Sequence, residues 1–104
     1  LFSPGLYVHR KAIAEAALAQ RFPTVFEISS MVEAGGLISY GPDPSYGWRR
    51  AGYFVSRILA GVPPSELPIE QPREYRLVVN ARTAKAVGIT VPESILLRAD
   101  EVIR

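Results

Sequence analysis

Three short runs rich in β-branched and aromatic residues, Thr24–Ile28 (TVFEI), Leu37–Tyr40 (LISY) and Glu74–Asn80 (EYRLVVN), alternate along this 104-residue chain with segments of helical character. This alternation constrains the fold more than any other feature. Side chains of that kind suit a pleated surface covered by neighbours. A helix between two strands is the usual way to bring the chain back for parallel pairing. The pattern predicts an α/β domain built on a parallel sheet.

The intervening segments carry their own start and stop signals. Leu6 to Arg21 reads as a first helix, because AIAEAALAQ has high helix propensity and places Ile13, Ala16, Ala17 and Gln20 on one side. Phe22-Pro23 ends it, since a residue before proline avoids the α region. Ser29 or Ser30 is placed to cap a short helix through Ala34, stopped by Gly35-Gly36. The best-marked helix runs from Pro44 to Ala60, with Asp43 as N-cap and Pro44 where a missing N–H costs nothing. Ala51, Phe54, Val55 and Ile58 follow the spacing of a buried stripe, and Gly61 with Pro63-Pro64 forbids continuation.

Residues 61 to 72, GVPPSELPIEQP, hold four prolines and read as a stiff extended connector between packed bodies. Asn80 is placed to cap ARTAKAV, which Gly88 closes. Thr90 and Glu93 have the spacing of a capping box, and a last helix is expected to carry Ile95, Ala99, Val102 and Ile103 on one face. The count is three strands and five helices. That is a thin sheet for so many amphipathic helices, each of which needs a partner surface. Further strands, from elsewhere in a longer polypeptide or from a second chain, are therefore expected. The opening Leu1-Phe2-Ser3-Pro4-Gly5, without a methionine, reads as a cut end.

Composition removes several functions. An apolar fraction of 48% argues against disorder over most of the length. Twelve basic and ten acidic residues give a net charge of +2, and no like-charge run exceeds two residues, so the clustered basic face of a nucleic-acid binder is missing. Cysteine is absent, which excludes disulfides and thiol chemistry. The one histidine, His9, falls among solvent-facing helical positions, and with no cysteine beside it a zinc site is not expected. No phosphate-cradling glycine loop occurs and no cofactor is implied. No acid, base and nucleophile stand at a meaningful spacing, so an enzyme is disfavoured.

Three stretches in order, VEAGGLISYGPD (Val32–Asp43), RRAGYFVSRILAGVPPSELPIEQP (Arg49–Pro72) and YRLVVNARTAKAVGITVPESILLRADEVI (Tyr75–Ile103), resemble the C-terminal third of the solute-binding proteins of a bacterial ABC transporter family. That group includes tryptophan- and tyrosine-binding relatives. The likeness covers nearly the whole chain and is loosest before Thr24. It implies a fragment of a type I periplasmic-binding-protein-like, Rossmann-like lobe. Residues 1–42 would be lobe βα units, 43–60 a closing helix, 61–73 a proline-rich hinge connector and 74–104 the final strand and helices. It also implies a small solute, such as an amino acid and aromatic ones first, held between two closing lobes. ABC permease subunits would be partners of the full-length protein, which would be periplasmic or an extracytoplasmic lipid-anchored form. A ligand-sensing regulatory domain of the same fold is the alternative reading.

In an open parallel sheet, ligands bind beyond the carboxyl ends of the strands. Two such ends fall at Ser29-Ser30 and at Tyr40-Gly41. Backbone N–H groups at Ser29 and Ser30 can receive a carboxylate, Tyr40 can stack or donate its hydroxyl, Gly41 admits close approach, and Asp43 can pair with an ammonium group. Each has a plainer structural reading: Asp43 as a helix cap, Tyr40 as cover for the core, Gly35-Gly36 as a helix stop. Glu27 is either a pocket carboxylate or a solvent-facing residue of an edge strand. Apolar stripes meant for absent strands predict that the chain alone associates as a dimer, for which exchange of elements is one route.

Overall fold

The computed structural model describes residues 3–104. The chain divides into two compact units, one made of the residues up to Gly41 together with Arg76–Arg104, the other of Pro42–Tyr75. In the first, helices α1 (Pro4–Val8) and α2 (Arg10–Ala19) precede strand β1 (Val25–Phe26), helix α3 (Ser29–Glu33) and strand β2 (Ile38–Pro42). The chain returns on strand β3 (Tyr75–Asn80), followed by α5 (Ala81–Val87), α6 (Glu93–Arg98) and strand β4 (Glu101–Ile103).

The four strands lie in the order β1-β2-β3-β4. β1 and β2 pair in parallel, Val25 opposite Ile38 and Phe26 opposite Ser39. β3 and β4 also pair in parallel, Val78 opposite Glu101 and Asn80 opposite Ile103. The middle step differs. The Asn80 N–H donates to the Leu37 carbonyl (2.8 Å) and the Asp43 N–H to the Glu74 carbonyl (2.9 Å). Rising numbers on one strand meet falling numbers on the other, so β2 and β3 run antiparallel. The predicted α/β sheet is present, mostly parallel, with this one reversal.

Its core is small. Val32, Val78 and Val79 are fully inaccessible, and Ala14, Met31, Leu37 and Ala84 complete the buried apolar set. β3 becomes continuously buried over Val78–Asn80, as a strand covered on both faces should. Small residues set the approach of α2: a β-carbon on Gly35 would stand 3.4 Å from that of Ala14. Asn80 locks the centre. Its side chain caps α5 by accepting from the Thr83 N–H (3.0 Å) and donates to the Val32 carbonyl (3.2 Å) at the end of α3. Thr83 Oγ1 donates to the Gly35 carbonyl (2.9 Å). Gly88 closes α5 in the left-handed region, φ 80°.

Several boundaries depart from the sequence expectation. The first helix breaks at His9, and Arg10 compensates by donating to the Tyr7 carbonyl (3.2 Å) and stacking on the Tyr7 ring. Neither Ser29 nor Ser30 caps α3; Ile28 holds the N-cap position, where no side chain accepts a hydrogen bond. The Thr90/Glu93 box is not formed either, because α6 starts one residue after Pro92, leaving Thr90 too early to reach it. The last helix stops at Arg98 and residues 101–103 become β4. Asp100 explains the switch: its N–H donates to the Leu77 carbonyl (2.9 Å) and its Oδ2 accepts from the Leu77 N–H (2.7 Å). The open edge of β3 thus captures Val102 and Ile103, residues whose branching favours strand.

The second unit is one helix and its return path. α4 (Pro44–Leu59) begins at Asp43, whose carboxylate accepts from the Ser45 N–H (2.9 Å) and Ser45 hydroxyl (2.8 Å). After Gly61 a single 3-10 turn (Pro64–Glu66) interrupts an otherwise extended connector. Arg50 holds that connector through Glu70, and Arg49 pairs with Glu74 at 3.1 Å. The predicted buried stripe is not buried: no side chain of α4 falls in the buried class, and Val55 and Ile58 are exposed. Within Pro42–Tyr75 the other helical piece is the short 3-10 turn, and no second α-helix is there for it to pack on.

Candidate functional site

β1 and β2 are parallel neighbours in register, so their carboxyl ends point the same way. The tip of β1 leads through Ile28 into Ser29-Ser30, and the tip of β2 carries Tyr40-Gly41. The spatial premise of the sequence reading is therefore met for these four residues. Ser29 and Ser30 are half-buried in the first turn of α3. Tyr40 is 59% exposed.

Gly41 is needed for a reason internal to the chain. A β-carbon there would lie 2.1 Å from the Glu27 carbonyl oxygen. The close approach that glycine permits is taken by the chain's own backbone, which draws the two strand ends together. Asp43 belongs to the other unit and caps α4. Ser30 and Asp43 border different cavities. Glu27 is exposed at the end of β1, consistent with its place on the sheet's outer strand.

A cavity of about 200 Å³ opens beside the tip of β1. Leu6 and Tyr7 of α1, Ile13 of α2, Phe26 and Glu27 of the strand end and Met31 of α3 line it. Sequence reasoning missed its apolar walls, because Leu6 and Tyr7 belong to a separate short helix that ends at His9, and no residue there announces a break. Ser30 with Arg10, Lys11 and Glu33 borders a neighbouring polar hollow. In the second unit, Tyr46, Arg50, Phe54 and Glu70 border a cavity of about 370 Å³ between α4 and the connector. Among the described residues no group of three or more His, Cys, Asp or Glu side chains is placed to hold a metal ion, and no helix is long and apolar enough to cross a membrane.

A mostly parallel α/β sheet whose strand tips gather a tyrosine, a glycine turn and a helix start is the framework of a periplasmic-binding-protein-like lobe. The chain belongs to the ABC transporter substrate binding protein family, which it matches over residues 7–103. Among solved structures it is similar to a conserved domain protein from Vibrio cholerae O1 biovar eltor, with 30% identity over 89% of this chain and a TM-score of 0.83. It is also similar to an ABC domain in complex with L-Trp from Streptococcus pneumonia, with 30% identity over 88% of this chain and a TM-score of 0.78. A ligand-free, open substrate binding protein with adhesive properties from Clostridium difficile shares the fold at 21% identity over 94% of the chain, TM-score 0.66. The chain spans about a third of the length of these proteins, 31%, 32% and 32% respectively. No curated protein sequence gives a significant match.

Proposed function

We propose that this chain is the C-terminal portion of an extracytoplasmic solute-binding component for ABC-type uptake. Its solute is a small molecule of the amino-acid class, aromatic members first, held between two lobes that close on it. The observation that carries this reading is the likeness to a domain complexed with L-Trp, at 30% identity across 88% of the chain. Lobe closure needs complementary contacts and no nucleophile, so the role is non-enzymatic. Ser29, Ser30, Tyr40 and Gly41 at the strand tips supply candidate contacts, and Asp43 adds a carboxylate to its capping role. ABC permease subunits are the macromolecular partners of the full-length protein.

Calorimetric titration of the full-length polypeptide with the amino acids tests this. Saturable heat with an aromatic amino acid supports the reading, and flat titrations across all of them reject that ligand class. The chain by itself is proposed to associate, because α4 leaves Trp48 78%, Val55 54% and Leu59 82% exposed along one face. Light scattering at micromolar concentration should give a dimer mass, and a monomer mass contradicts it.

A further inference from the structure

We propose that the cavity at the tip of β1 receives the apolar body of a small organic cation, and that the Glu27 carboxylate takes its ammonium group. The inference rests on the solute-binding reading and gives the solute a chemical class. The cavity measures about 200 Å³. An apolar cavity of ~150 Å³ already admits benzene, so this one suffices for a bicyclic aromatic. Its walls are aliphatic and aromatic, from Leu6, Ile13 and Met31 with the rings of Tyr7 and Phe26.

Among the described residues Glu27 is the one charged side chain in the lining. It follows β1 where its backbone closely approaches Gly41, at which a β-carbon would lie 2.1 Å from the Glu27 carbonyl oxygen. Among the described residues its carboxylate has neither a hydrogen bond nor an ion pair. A cation entering this space gains the carboxylate as a charge-assisted acceptor. Its apolar body packs against the lining rings of Tyr7 and Phe26. A ligand carboxylate gains nothing comparable, since no lysine or arginine lines the cavity among the described residues. Arg10, three residues from both Tyr7 and Ile13, is occupied over the Tyr7 ring at 4.6 Å. The site therefore selects for an amine on an apolar frame, whether or not an acid group is also present.

Three indoles separate these features: tryptamine has the amine alone, L-tryptophan the amine and the acid, and indole-3-propionate the acid alone. Amide shifts of the isotope-labelled 104-residue chain are followed for each. Tryptamine and L-tryptophan should move Tyr7 and Phe26–Met31, and indole-3-propionate should bind at least about tenfold more weakly, the scale of one charge-assisted hydrogen bond. Glu27→Gln, isosteric and exposed, should weaken tryptamine about tenfold and erase its advantage. Leu6→Trp, which fills the cavity, should remove the shifts at Phe26–Met31 for all three probes. Equal binding of indole-3-propionate, unchanged tryptamine affinity in Glu27→Gln, or no shift at Phe26–Met31 with millimolar tryptamine overturns the assignment. Calorimetry on the full-length protein keeps the two claims apart. Amino-acid binding that is indifferent to Glu27→Gln removes the cavity and leaves solute binding standing. A wild-type protein that binds no amino acid removes the parent reading.

Discussion

Arg50 and Glu70 form a forked ion pair across the second unit: Nε donates to Oε2 at 2.8 Å and a terminal nitrogen to Oε1. The guanidinium also lies over the rings of Tyr53 and Phe54, 4.2 and 5.4 Å from their centroids. The pair is partly shielded, with side-chain exposures of 34% and 24%. It ties the proline-rich connector to the helix that precedes it.

That pair has a pH signature. The hydrogen bond from Arg50 holds the Glu70 carboxyl below its ordinary 4.5, against the opposing pull of desolvation, and Arg50 is raised in turn. A carboxyl lowered by folding contributes stability that is complete above its unfolded value and disappears as pH falls through the lower folded one. Protection of α4 amides from exchange should therefore drop on the acid side of pH 4.5. Glu70→Gln should flatten that drop. Identical acid-side profiles for the two proteins would show that the clasp does not hold the helix.

Gly41→Ala should be severe for its size. The added methyl would meet the Glu27 carbonyl at 2.1 Å, which is backbone and has no rotamer to yield. Overpacking of this kind costs roughly 1–3 kcal/mol and sometimes more. Urea denaturation should show a loss in that range, whereas Gly47→Ala, with open space around the new methyl, should show none.

Asn80→Ala removes two buried hydrogen bonds at once, the cap on Thr83 and the donor to Val32. A lost cap costs about 1 kcal/mol, and loss of the bond to Val32, whose carbonyl keeps the Gly35 N–H (3.0 Å), about 0.5–1.5 kcal/mol. Thermal and urea unfolding should place the loss near the sum of the two. Asn80→Asp keeps the cap but buries a carboxylate oxygen against the Val32 carbonyl, so at neutral pH it should cost at least as much.

Asp43 separates a structural from a functional role. Asp43→Ala should cost α4 about 1 kcal/mol through the lost bond to the Ser45 N–H, and Asp43→Asn only a few tenths. Solute affinity measured on the full-length Asp43→Asn form reports whether the negative charge itself is used. A fall shows that the Asp43 charge contributes to solute binding, and an unchanged affinity leaves Asp43 the capping role alone.

The parts legible in the sequence were those governed by neighbours along the chain. Asp43-Pro44 opened a helix, Asn80 capped the next and Gly88 closed it, as expected from local chemistry. What escaped depended on partners distant in sequence. Ile95 to Ile103 reads as one amphipathic helix until β3 offers an open edge and Asp100 bonds Leu77 across 23 residues. The stripe on α4 reads as core, yet burial requires an opposing surface that no residue between Pro42 and Tyr75 provides. Gly41 illustrates both cases: a glycine at a strand end was evident, but the carbonyl that requires it lies fourteen positions earlier, on a neighbouring strand.

The antiparallel step between β2 and β3 has a practical consequence for protein engineering. The excursion from Pro42 to Tyr75 leaves on one strand and comes home on its immediate neighbour, with Asp43 and Glu74 hydrogen-bonded at the crossing. Its two ends are thus within reach of a two-residue reverse turn. Splicing such a turn between Gly41 and Arg76 converts the pair into an ordinary hairpin and offers a minimal scaffold, shorn of its exposed helix, in which the strand-tip chemistry can be studied by itself.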